Sequence, residues 1–518
     1  MPHTQPNILF IVLDTLRRDH LSAYGHTIDT SPALDEFADR ATLFERAVAP
    51  AQWTIPAHAS LFTGVYPGVH GVTQANSALS GMHPTLAEIL QVGGYHTIAF
   101  CNNPLVGVLD NGLQRGFDHF YHYSSAIPNR PADMHQNAMR RQMVKWFRPY
   151  ARKMGNQFAK SDRLFRLSLH PLLTPVWSKY INFKGSTADS IDDLMTYWTA
   201  HHAGGAEQPL FSFVNLMGAH LPYHPPQDWV AKIAPDLKND RAAYAFMRRF
   251  NADGAGWASP PDTPFDEFQR HVLNTFYDAE IAYQDAQLGR LLTFLRESGA
   301  LDNTAVIIAA DHGEAHGEHQ MMGHGFNVYQ ELVHVPLMMH LPDADAGQRV
   351  PVNVSTRRLF HTVLDIAGVK PPLDARDPNA NVAGLSLANF LRASDGRGRD
   401  AENNSAFSEA YPPTTFLHVL EHRSPAVIER LRLRFARHAL YTGDHKMVVD
   451  AGRVEGLFDI HADPTEARDA QFDSPTETAA LLRTVESFTT GQTIPHAAGD
   501  ADVTEEVTDH LRALGYID

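Results

Sequence analysis

Thr54 lies in Trp53-Thr54-Ile55-Pro56-Ala57-His58-Ala59-Ser60-Leu61-Phe62-Thr63-Gly64, where a hydroxyl meets the start of a helix. Threonine is a good N-cap, Pro56 fits only a first turn, and Ala57 to Leu61 propagate the helix. A helix beginning at Thr54 turns its free N–H groups and positive end toward an anion under attack, and favours an ionised threonine oxygen. Threonine is otherwise a weak nucleophile, so the chemistry calls for a metal that lowers the hydroxyl pKa and polarises a substrate oxygen. Asp14 and the pair Asp311-His312 offer carboxylates and an imidazole, and Thr54 Oγ1 completes a ligand set for one divalent ion. The competing reading of Asp311 is a turn or cap carboxylate after a strand.

These residues are far apart in sequence, and the elements between them must bring them together. Four apolar runs end in or lead to a polar residue of catalytic type. Asn7 to Leu13 ends at Asp14, His96 to Phe100 runs to Asn102, Pro209 to Leu216 leads to His220, and Ala305 to Ala310 ends at Asp311. Helical patterns at Leu86 to Val92 and Asn274 to Glu297 separate them. Strands alternating with helices predict an α/β fold, a mostly parallel sheet covered on both faces. Ligands of such sheets bind beyond the carboxyl ends of the strands, where Asp14, Asn102, His220 and Asp311 would converge.

The Thr54 segment resembles the nucleophile signature of the sulfatase branch of the alkaline phosphatase superfamily, Cys-x-Pro-Ser-Arg-Ala-Ser-x-x-Thr-Gly, whose cysteine is oxidised to formylglycine. Ala309-Ala310-Asp311-His312-Gly313-Glu314 resembles the family's second signature, and Glu455 to Glu466 its small C-terminal domain. The resemblance covers nearly the whole chain and is patchy between about 120 and 200. It implies an alkaline phosphatase-like three-layer sandwich with a smaller C-terminal α+β domain, divided here as 1–415 and 416–518. It also implies that Asp14, Thr54, Asp311 and His312 bind the metal, and that His220 contacts the transferred group or protonates the leaving oxygen. His58 replaces the arginine that supports formylglycine; Asn102 and His324 stand where sulfatases place lysines. Asn102 can donate hydrogen bonds to substrate but brings no charge.

A threonine cannot become an aldehyde hydrate, so a covalent step must use Thr54 directly, as in the family's phosphodiesterases and phosphoglycerol transferases. The expectation is a phosphoester hydrolase, favouring phosphodiesters, with manganese or zinc preferred because His312 is an imidazole, and calcium possible. The alternatives are a sulfuric ester hydrolase with unmodified Thr54, and a phosphoryl transferase or non-hydrolytic binding protein.

Composition bounds the rest. The 518 residues suggest two domains, and a net charge of −16 argues against non-specific nucleic-acid binding. A single cysteine, Cys101, excludes an intramolecular disulfide, and no stretch approaches the roughly 20 apolar residues of a membrane span. A cytoplasmic protein acting on a small-molecule, lipid or glycan ester is expected. His312, His316, His319 and His324 crowd a glycine-rich stretch, Gly313 to Gly325, that reads as a solvated loop or a second metal site. The basic segment Arg140 to Arg166, within an insertion at about 137–170, reads as a helix with a solvated face, or as a lid or membrane-surface helix giving peripheral contact.

Overall fold

A computed structural model describes residues 5–491 apart from 76, 110, 125–127, 132–182, 205–207, 260–262, 345–346, 371–381 and 394–399. The basic insertion and the chain end from Leu511 lie outside the described residues.

The apolar runs form the middle of an eight-stranded sheet. Its strands are β1 (Asn7–Leu13), β2 (Thr42–Val48), β3 (His96–Cys101), β4 (His119–His122), β5 (Leu210–Leu216), β6 (Thr304–Ala309), β9 (His334–His340) and β10 (Arg349–Ser355), in the order β10-β2-β9-β6-β1-β5-β3-β4. The two-residue strands β7 (Ala315–His316) and β8 (Met322–Gly323) form a separate ribbon within the glycine-rich stretch. Only β9 runs against the other seven strands of the large sheet. All residues of β1, β5 and β6 are buried, as strands covered on both faces require. The result is the three-layer α/β sandwich expected.

Register levels the carboxyl ends of the central strands. Val12 pairs with Ala309, which puts Asp14 and Asp311 each two residues past one rung. Asp14 N donates to Leu216 O at 2.9 Å and Asn102 N to Asn215 O at 3.0 Å, extending the ladder to the residues that matter. The helix Glu267–Glu297 begins seven residues before its apolar pattern, because Asp266 and Gln269 make a reciprocal cap. β2, β4, β9 and β10 were not legible as strands: β2 carries the half-buried Glu45-Arg46 pair in mid-strand, and β4 has only four residues.

The C-terminal sheet is antiparallel, β11 (Ser405–Ala410), β12 (Arg437–Thr442), β13 (His445–Asp450) and β14 (Arg453–Asp459). Its first strand lies ahead of residue 416. Gly443 and Gly452 turn two of its hairpins with φ of 56° and 82°. The helix Pro475–Gly491 packs on this sheet. Arg437 reaches Phe326 O, and Glu409 accepts from Gly68 N, so the small sheet is bonded to the body behind the site.

Candidate active site

The helix Thr54–Thr63 is capped by Trp53, so Thr54 is its first residue and makes no cap bond with its side chain. The Thr54 hydroxyl is therefore free of the capping role assigned from sequence. Its Oγ1 lies 3.3 Å from His312 Nε2. His312 Nδ1 donates to Gly313 O at 2.9 Å, which leaves Nε2 with a lone pair facing the cluster. Burial, reinforced by neighbouring His324, holds the His312 imidazole neutral, well below its ordinary range. Gly313 allows this turn, since a Cβ there would lie 2.0 Å from Glu331 O.

Two carboxylates face the same point. Asp311 Oδ1 accepts from Thr15 N and His312 N, while Oδ2 is buried with no hydrogen-bond partner, 3.4 Å from His312 Nε2. Asp14 Oδ1 is likewise buried without a partner, 4.0 Å from His312 Nε2. Burial and the neighbouring Asp14 push the Asp311 carboxyl well above its ordinary range. Ligand atoms of Asp14, Asp311 and His312 all lie within 4.8 Å of one another. Orphaned oxygens of two buried carboxylates beside an imidazole lone pair are a donor set that a divalent cation would satisfy.

Asn103, unassigned from sequence, proves central. Its Nδ2 donates to Asp14 Oδ2 at 2.6 Å and reaches Thr54 Oγ1 at 3.5 Å, while its Oδ1 accepts from Leu105 N. Asn215 Nδ2 adds a second bond to Asp14 Oδ2 at 3.3 Å. A legible signal existed for Asn215, the lone amide of a fully buried strand whose other residues are apolar except Ser212. Asn103 was masked by its twin Asn102.

The residues expected to meet substrate are placed differently from one another. His58 is fully buried behind Thr54. Its Nδ1 donates to Thr54 O at 2.9 Å and its Nε2 accepts from Asn215, so both ring nitrogens are engaged in holding the site. Burial keeps it neutral. Asn102 Oδ1 accepts from Ser190 Oγ at 2.5 Å, and its Nδ2 is buried with no partner.

His220 and His324 lie face to edge with ring centroids 5.2 Å apart, and the His324 ring is 4.6 Å from that of His312. Burial lowers His220, whose Nδ1 donates to Leu221 O. Burial alone would lower His324 too, but Glu314 Oε1 at 2.8 Å outweighs it and holds the imidazole above its ordinary range. Among His58, His220, His312 and His324, His324 alone is shifted toward its charged form. Lys184 braces the His220 loop by donating to Pro222 O and Glu280. His316 and His319 face away from this centre, toward Tyr223 and Asn274 and toward Glu331.

Comparison with known proteins identifies the family. Residues 6–369 match the family described as Sulfatase. The chain is 24% identical over 504 residues to arylsulfatase K of Bos taurus, covering 93% of this chain and 81% of that one. It is 22% identical over 520 residues to an N-acetylglucosamine-6-O-sulfatase of Bacteroides thetaiotaomicron, covering 89% and 82%. The structure of the phosphonate monoester hydrolase of Agrobacterium radiobacter superposes with a TM-score of 0.65 at 22% identity, covering 94% and 96%. The chain belongs to the sulfatase family of the alkaline phosphatase superfamily and is a hydrolase acting on ester bonds.

Proposed function

We propose that this hydrolase cleaves esters of a tetrahedral oxyanion through a covalent Thr54 intermediate, with one divalent ion held by Asp14, Thr54, Asp311 and His312. The observation that carries the reading is Thr54 Oγ1 at a helix N-terminus, 3.3 Å from an imidazole lone pair and beside two unpaired carboxylate oxygens. The ion, when bound, supplies positive charge that acidifies the hydroxyl and polarises the ester. Manganese or zinc suits the imidazole in the set better than calcium.

In the reaction, Thr54 Oγ1 forms a bond to the central atom as the bond to the leaving oxygen breaks. His220 lies with His324 beside this centre; its neutral Nε2 takes the proton that Thr54 Oγ1 gives up and delivers it to the leaving oxygen. Water then attacks the same atom, giving a proton to His220 Nε2, which returns it to Thr54 Oγ1 as that bond breaks. The His324 imidazolium and the Asn102 amide hold the non-bridging oxygens. One imidazolium and one metal ion, with a neutral amide beside them, match a monoanionic ester.

Phosphodiesters and sulfate monoesters are both monoanions, and the nucleophile separates them. Phosphothreonine is opened by attack at phosphorus, whereas a sulfated threonine lacks the aldehyde-hydrate hydroxyl through which sulfate is eliminated. Thr54 thus favours the phosphodiester. The names of the relatives, arylsulfatases and a glycan sulfatase, weigh more toward the sulfuric ester reading. Turnover of matched aryl phosphodiester, phosphomonoester and sulfate separates the two. The diester should rank first; sulfate ranking first would transfer the proposal to sulfuric esters.

A further inference from the structure

A second group of metal-ligand side chains converges away from the catalytic centre. His20 stands in the turn after β1, His26 six residues later, and Asp278 in the helix Glu267–Glu297. One ligand atom from each lies within 4.8 Å of the others. Asp278 is 1% and His20 7% exposed, and the His26 side chain 17%. His20 Nδ1 lies 2.6 Å from Asp278 Oδ1 and His26 Nε2 3.5 Å from Asp278 Oδ2.

Two features distinguish this group from a hydrogen-bonded pair with a bystander. His26 Nε2 is buried and faces the carboxylate at 3.5 Å, too long for a firm hydrogen bond. Among the described residues, the ion-pair partners of Asp278 are these two imidazoles alone, with no lysine or arginine to neutralise it. The backbone already holds the imidazoles in place. Thr30 Oγ1 donates to His20 O at 2.6 Å, and His26 N donates to Leu21 O at 3.1 Å.

We propose that His20, His26 and Asp278 bind a zinc-class transition-metal ion separate from the catalytic one. Two imidazoles and one carboxylate are a borderline donor set, and tetrahedral bonds of about 2.0–2.1 Å place neighbouring ligand atoms about 3.4 Å apart. The 3.5 Å gap between His26 and Asp278 has that size. The 2.6 Å contact of His20 widens as the ion takes the place of the proton in it. Water fills the fourth position from the half-exposed His26 side. The ion ties the loop that follows Asp14 to the helix whose Tyr277 hydroxyl donates to Thr15 O and accepts from Arg17 N.

The test counts metal on the full-length protein. Chelator-stripped wild type titrated with zinc against a chromophoric competitor should take up two equivalents, and His26→Ala one. Cobalt should give visible tetrahedral absorption, part of which disappears in His26→Ala. In an Asp311→Asn, His312→Ala background the remaining equivalent should survive, and adding His26→Ala should weaken it at least about tenfold. His26 is half-buried and its one firm hydrogen bond is through its backbone N–H, which alanine keeps, so its replacement spares the fold, which circular dichroism verifies. Zinc and cobalt uptake unchanged by His26→Ala, or absent from folded protein lacking the catalytic ligands, would overturn the proposal and leave a hydrogen-bonded His-Asp-His clamp.

Discussion

Asn103→Ala removes the shortest bond to Asp14 and a long 3.5 Å contact to Thr54 Oγ1, while the proposed metal ligands and the nucleophile themselves stay unsubstituted. The lost contact is a 2.6 Å amide donation to a buried carboxylate, leaving Asp14 Oδ2 with only Asn215 at 3.3 Å. A hydrogen bond to a charged group contributes about 1.5–3 kcal/mol. At about 1.4 kcal/mol per factor of ten, that is a loss of about 10- to 100-fold in metal affinity, and in kcat/KM at limiting metal. The substitution also removes the side-chain cap on Leu105 N, a separate cost of about 1 kcal/mol in stability. Denaturant unfolding isolates that cost, and metal titration followed by activity isolates the first. Metal affinity and kcat/KM both within twofold of wild type, in folded protein, would refute the view that Asn103 orients Asp14.

Other predictions follow from charge. Low pH protonates His220, whose folded pKa lies below its ordinary value, while His324 stays cationic until pH rises through a folded pKa above its own. The kcat/KM profile should therefore be bell-shaped, and His324→Lys should move the alkaline limb upward because lysine titrates near about 10.4; an unmoved limb would remove His324 from the substrate site. Lys446 and Glu466 form a fully buried pair at 2.6 Å within the C-terminal region, where Glu466 also accepts from Gln330 N of the body. Glu466→Gln strands the ammonium and should cost about 3–5 kcal/mol, with Lys446→Met in the same chain restoring much of it, as read from denaturation midpoints.

The fold was legible where burial leaves a plain mark. β1, β3, β5 and β6 are apolar runs because both their faces are covered, and each leads to a functional residue. The antiparallel β9 and the edge strand β10 end in no such residue and carried no comparable signal. At the site, residue types disclosed Asp14, Thr54, Asp311 and His312. What sequence could not supply is direction: that His58 turns inward to Thr54 O, that Glu314 charges His324, and that Asn103 rather than Asn102 holds Asp14. Those are matters of rotamer and register, set by how the side chains pack once the elements are in place.

The central claim is that Thr54 becomes covalently modified during turnover. Acid-quenching the enzyme during hydrolysis of an aryl phosphodiester, followed by mass spectrometry of the peptide containing Thr54, tests it directly. The account predicts an adduct on Thr54 carrying the transferred phosphoryl ester group, absent from Thr54→Ala, which should be folded and without turnover. Near-wild-type turnover by Thr54→Ala, with no adduct on the wild-type peptide, would contradict it.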